Sequence, residues 1–163
     1  MNNPYAPPTA KVGDIEEQKP EDFDYAGFWW RVLASILDNI VLGIAVGLIS
    51  AGVVIAIFGI GGTNDSYWAI GLNYLTSTVL TGIAVVLFWK FKQATPGKLM
   101  LSMKIVDAET FGPISWGQSI GRYFAYFVSF FGLCLGFMWV GWDERKQGWH
   151  DKLAGTVVIR VYK

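Results

Sequence analysis

Three stretches of the chain, residues 39–64, 66–89 and 123–142, contain no Asp, Glu, Lys or Arg. Each has the roughly 20 residues a helix needs to cross a bilayer core of about 30 Å. The first stretch predicts a helix over 28–58, longer than a minimal span, so it must tilt, kink or begin in the interface. The second predicts a helix over 67–91. Between them, residues 59–65 form a Gly-rich turn with Asn and Asp and without Lys or Arg. The third stretch has Gly132 and Gly136 near its middle, where a bend is permitted.

The period changes after residue 98. Leu99, Leu101, Met103 and Ile105 alternate with Met100, Ser102, Lys104 and Val106, the period of two that marks a strand. Residues 107–113 supply turn chemistry, and 113–116 are placed to return. Residues 156–162 form a second β-branched run. A lone C-terminal strand would leave its backbone groups unpaired, so its expected partner is the strand around 100–106, in a small cytoplasmic sheet. A full crossing by residues 123–142 would separate the two strands and carry Arg145, Lys146, Lys152, Arg160 and Lys163 outside. The favoured reading is therefore a re-entrant or interfacial hairpin packed against the first two helices, with a third span as the alternative.

Composition agrees with a bilayer. Of the 163 residues, 53% are hydrophobic and 16% charged, below the roughly quarter charged of a soluble domain. The formal net charge is zero, so no global field favours nucleic acid. Charge placement says more than its sum. Residues 1–24 hold six acids and four prolines, which reads as a disordered cytoplasmic tail ahead of a membrane domain over 25–163. No cleavable signal segment is expected there. Phe28, Trp29, Trp30 and Arg31 form an aromatic and cationic collar, and Lys90, Lys92, Lys98 and Lys104 cluster after the second helix. The positive-inside rule places that loop and the N-terminus in the cytoplasm. The lone Cys134 reads as a packing residue.

Asp38 is the first candidate for chemistry, because a carboxylate inside an apolar helix costs at least about 2.5 kcal/mol unless it is partnered. Arg31 lies two turns earlier on nearly the same face, about 10.5 Å away along the axis, too far for easy contact. Arg122, at the head of the third stretch, is the expected partner. Arg31, Asp38 and Arg122 read either as a structural ion-pair network or as part of a path for a cation or proton. Gly43, Gly47 and Ala51 form a small-residue stripe expected to pack against the second helix, with a dimer seam as the alternative. Residues 95–98, Thr-Pro-Gly-Lys, lack the first glycine and the hydroxyl residue of a phosphate loop. A single histidine, His150, without cysteine neighbours makes no zinc site. Asp151 is expected to cap the turn entering the last strand or to pair with Lys98 or Arg122. No nucleophile, metal cluster or cofactor loop stands out, so neither enzyme nor cofactor is expected.

Together these residues resemble a known family. Residues 25–31 (Tyr-Ala-Gly-Phe-Trp-Trp-Arg), Ala34 with Asp38, 95–98, Lys104 to Asp107, Arg122, and 150–158 are similar in kind and order to the RDD family of bacterial membrane proteins. The resemblance implies that Arg31 and Asp38 are the family arginine and first aspartate. The second maps to Asp151, with Asp107 as the fallback. It further implies a bacterial inner-membrane location and transport of an unidentified ligand, some members being similar to sodium–proton antiport proteins. The expected function is a small transporter, by cation–proton exchange in a homo-oligomer because one chain is too small to enclose a path. The alternative is an accessory or scaffold subunit of a membrane complex.

Overall fold

The structure, a computed structural model, describes residues 23–59 and 67–161. The tail before Phe23 and nearly all of the turn at 59–65 lie outside the described residues. Helix α1 runs Phe28–Phe58 and helix α2 Tyr67–Lys92, within one residue of the expected bounds. Both are long and apolar enough to cross a membrane. α1 closes on Gly59, whose φ of 75° turns the chain and whose N–H bonds the Ile55 carbonyl.

The two helices meet through a face one residue away from the predicted small-residue stripe. Val46, Ser50 and Val54 are the buried positions, while a Cβ at Gly43 or Gly47 would meet nothing within 4 Å. The hydroxyls decide the face. Ser50 donates to Asn73 and accepts from Ser77, and such bonds hold helices together in lipid, where hydrophobicity supplies little attraction between them.

Leu99 and Met100, expected to open a strand, instead end the short helix α3, Pro96–Met100. Pro96 occupies the start of the helix, where its fixed φ is favourable and its missing N–H costs nothing. Strand β2, Met103–Asp107, follows and pairs antiparallel with the C-terminal strand β3, Thr156–Arg160, with Ile105 opposite Val158. The expected pairing is present. A third strand, β1, Asp24–Tyr25, adds to the other edge of β3, giving the order β1-β3-β2. Two residues carry no periodic signal, so this strand was not visible in the sequence. Residues 113–116 do not return as a strand. Ser115 instead caps helix α4, Trp116–Phe131, in a reciprocal pair of bonds with Gln118.

The sheet is two-faced. Met103, Ile105 and Val158 join Ala26, Ala34, Trp89 and Ile114 in the main core, and Val106, Val157 and Ile159 pack under Phe23 and Phe111. Burial of each such side chain stabilises by about 1.5–3 kcal/mol.

After α4 the chain turns through Leu133 and Cys134, at φ 55° and 60°. Helix α5, Leu135–Met138, and a 3₁₀ turn, Trp139–Gly141, then leave at 110° to α4. The glycines thought to permit this bend serve close approach. A Cβ on Gly132 would sit 2.7 Å from the Trp149 ring, and one on Gly136 would sit 2.7 Å from Ser129. Helix α6, Trp149–Leu153, packs on α4 and hands the chain to β3. The segment that departs from β2 thus comes back beside it.

Candidate functional site

Two carboxylates anchor the region where α1, α4, α6 and the sheet converge. The first is Asp151, fully buried in α6. One oxygen takes the Arg31 guanidinium and the Gly148 N–H, and the other faces Arg122 at 2.5 Å. Arg31 also donates to the carbonyls of Ala26 and Lys146, tying the start of α1 to the segment before α6. Arg122, fully buried on α4, donates to Thr156 of β3 and lies over the rings of Trp89 and Tyr126, 5.3 and 5.9 Å from their centres. Burial works to raise the Asp151 pKa, but the adjacent Arg122 and Arg31 charges outweigh it and hold the carboxyl well below its usual range. His150, stacked near Tyr126 and Phe137, is lowered to about 3, first by burial and then by the nearby Arg122 and Arg31 charges, against the pull of Asp151. It is therefore neutral at pH 7. Ser129 Oγ accepts the His150 backbone N–H and lies 3.1 Å from Nδ1. Arg122, His150 and Asp151 are all buried, so this cluster gives no route to a reacting molecule.

The second carboxylate is Asp38. Arg122, its expected partner, is committed to Asp151. Asp38 instead receives the Thr95 hydroxyl at 2.5 Å and the Gly97 N–H at 2.6 Å, with the Lys98 ammonium at 3.7 Å. The 95–98 segment reaches it because Gly97 lies against α1: a Cβ there would be 2.3 Å from the Ala34 carbonyl oxygen. Ala34, itself fully buried, leaves the matching space on α1. Thus the small residue one turn before Asp38, the proline that starts α3 and the glycine after it form one docking device. Lys98 is 6% exposed and also donates to Thr95.

This geometry also explains the length of α1. Asp38 meets the loop after α2, so residues 28–38 lie beside the sheet and base. The remainder, 39–58, is the uncharged part, and at 1.5 Å per residue it spans about 30 Å, the thickness of the bilayer core.

Asp38 and Lys98 line a cavity of about 480 Å³ between α1, α2, α4 and α5. Its polar end adds Ser35, Asn39 and Thr95, and its walls carry Trp89, Tyr123, Tyr126, Phe127, Phe130 and Phe137. Exposed Asn39, Gly43, Phe127 and Phe130 mark its open side. Trp89 Nε1 is buried and has no acceptor.

The structure therefore splits the four predicted residues. Arg31, Arg122 and Asp151 meet one another, whereas Asp38 stands apart with Thr95, Gly97 and Lys98. Asp107 accepts bonds from Glu109, Thr110 and Gln118 in the turn after β2 and joins neither group. Sequence reasoning missed the partners of Asp38; the Pro-Gly pair in a Lys-bearing loop was the available signal. Among the described residues, no three of His, Cys, Asp and Glu are grouped to hold a metal ion.

Two long apolar helices standing on a small sheet, with a charged pair at the polar end of an interhelical cavity, define an integral membrane protein. The sequence model of the RDD family matches residues 25–155, and the chain belongs to that family. It is 31% identical over 148 residues to the uncharacterised protein YxaI of Bacillus subtilis, covering 82% of this chain and 96% of that one. It is 27% identical over 154 residues to the proline-rich antigen of Mycobacterium leprae, covering 82% of this chain and 61% of the antigen. The uncharacterised membrane protein YteJ of Bacillus subtilis is 26% identical over 142 residues, covering 83% and 80% of the two chains. No solved structure matches.

Proposed function

We propose that this protein is a small, non-enzymatic transporter whose ligand station is the cavity at Asp38. The observation that supports this is the placement of a carboxylate and an ammonium, 3.7 Å apart, on a cavity at the end of the uncharged part of α1. Asp38 is the group that handles a monovalent cation or proton, with Lys98 as the resident cation that an arriving one displaces. Two long helices do not enclose a path, so further copies of the chain complete it. Reconstituted protein in vesicles containing a pH-sensitive dye tests this with pulses of sodium, lithium or potassium. Cation-dependent proton flux in wild type and its loss in Asp38→Asn are expected. No flux from well-folded protein under any of these gradients overturns the reading and favours the accessory role.

The same proposal fixes a topology in the bacterial inner membrane. Residues 116–142 form a re-entrant hairpin, and the sheet, α6 and N-terminus are cytoplasmic. The pairing of β2 with β3 and the 110° bend support this arrangement. In a Cys134→Ser background, Lys104→Cys and Glu144→Cys are both expected to react with an impermeant maleimide from the cytoplasmic side. Labelling from opposite sides would rule the hairpin out.

A further inference from the structure

The cavity is much larger than its charged end. Its volume of about 480 Å³ falls in the range of roughly 300–1,000 Å³ typical of sites for organic ligands. Six of its fifteen lining residues are aromatic and only two are charged, so an ion at Asp38 leaves the greater part of the space unused. Trp89, Tyr123, Tyr126 and Phe137 line its covered part, and exposed Gly43, Phe127 and Phe130 line its open side. Such a shape suits a molecule with a polar head and an apolar body.

The charges select the head. Asp38 contributes one negative charge and Lys98 one positive charge, and the other polar groups at that end, Ser35, Asn39 and Thr95, are neutral. A head of either single sign would bury itself against its like charge in a poorly solvated site, which is costly. A head with no net charge meets complementary groups on both sides. Lys98 retains donor capacity, since Thr95 takes one of its three N–H groups and the carboxylate stands at 3.7 Å. The unmatched indole N–H of Trp89 adds an unused donor to a cavity-lining residue.

We infer that the cavity binds an amphiphile with a zwitterionic or uncharged polar head, its head between Asp38 and Lys98 and its apolar body along the α4 aromatics. The inference rests on the transport reading only in sharing its site, and it names the cargo class for which the cation or proton is the coupling ion. Gly43 offers a clean test. It lines the cavity, and a Cβ there meets nothing within 4 Å, so the first atom of a Gly43→Leu side chain has open space, and the variant's melting temperature is measured beside its binding.

The full chain in phosphatidylglycerol nanodiscs is titrated with brominated alkyl amphiphiles bearing a phosphocholine, a trimethylammonium or a sulfate head. A two-chain brominated phosphatidylcholine serves as the bilayer-lipid arm. Quenching of Trp89 is read as the difference between wild type and Trp89→Phe. The expected result is saturable quenching by the phosphocholine compound, at least tenfold tighter than by either charged one, and its loss in Gly43→Leu. Lys98→Met is expected to reverse the order in favour of the trimethylammonium compound, because Asp38 is then uncompensated. Saturation by the two-chain lipid as well identifies a bilayer lipid as the source, and saturation by the single-chain compound alone identifies a smaller amphiphile. Quenching that rises linearly and equally in wild type and Gly43→Leu overturns the inference, as does tighter binding of a singly charged head by wild type. Saturable binding without cation-driven flux would retain the ligand and remove the transport reading. Flux without saturable binding would do the reverse.

Discussion

Asp151 and Asp38 are both carboxylates in a membrane protein, and both are met by cations, yet their surroundings divide their roles. Asp151 is fully buried between two arginines, with no cavity at hand. Asp38 is held by a hydroxyl, a backbone N–H and a more distant lysine, and it borders an open cavity. A buried ion pair is weak evidence for net stability, but removing one partner strands the others in a medium that cannot solvate them. The first site is thus a lock that joins α1, α4, α6 and the sheet. The second keeps the access that chemistry requires. Only Asp38 is conspicuous as a charge in an apolar run of sequence, and accessibility separates the two in the fold.

The contrast is sharpest at Asp151. Replacing it with Asn leaves Arg31 and Arg122 facing each other without a counter-charge, and a loss of about 3–5 kcal/mol is expected. Thermal unfolding in detergent and the yield of monodisperse protein measure it. A stability within about 1 kcal/mol of wild type would deny the site its role as a lock, given the cost expected for a broken buried pair.

Gly97→Ala comes next. The new methyl meets the Ala34 carbonyl and the Asp38 backbone, so α3 must move off α1, at about 1–3 kcal/mol. The same displacement pulls the Gly97 N–H from Asp38, so vesicle flux is expected to fall along with stability. Gly43→Ala, on the same helix but in open space, serves as the control and is expected to leave the melting temperature unchanged or slightly higher.

Asp38→Asn removes charge while keeping an acceptor for Thr95. A cost of about 1.5 kcal/mol is expected, at the low end for a hydrogen bond to a charged group. This variant is expected to fold and lose flux, whereas Asp151→Asn is expected to be the more destabilised of the two. Equal loss of folding in both would erase the distinction.

A further test is one of pH. The His150 pKa is lowered from 6.5 to about 3, so between these values the unfolded chain takes up a proton that the folded one refuses. Stability is therefore complete above about pH 6.5 and declines as pH falls toward 3. Asp151 adds nothing in the upper part of that window. Its depressed folded pKa gives stability that is present above the ordinary carboxylate value near 3.8 and lost only below it. His150→Gln is expected to flatten the decline in melting temperature between pH 6.5 and 4.5. An unchanged slope would mean that another group controls it.

Much of this molecule was legible beforehand. The bounds of α1 and α2 followed from uncharged runs, and the pairing of β2 with β3 followed from the need of a C-terminal strand for a partner. Arg122 with Asp151 stood among the expected pairs. Less legible was everything set by contacts between distant segments. Alternation over residues 99–106 suggested a strand from its start, but Pro96 and the docking of Gly97 on Ala34 fold its first part into α3. The stripe at Gly43 and Gly47 promised a helix contact, but the hydroxyls of Ser50 and Ser77 chose the adjacent face.

By itself the sequence determined where the chain enters an apolar medium, because twenty uncharged residues have few other places to go. It also singled out Arg31, Asp38 and Arg122, because charge beside or within an apolar run is costly without a partner, and the family resemblance added Asp151. Only the tertiary structure decided which partner each one has. Pairing depends on distances between segments far apart in the chain, and a carboxylate carries no local mark of the cation it will meet. The cavity, too, exists only once α1, α2, α4 and α5 are set against one another, since its walls come from all four helices and its charged pair from residues 60 positions apart.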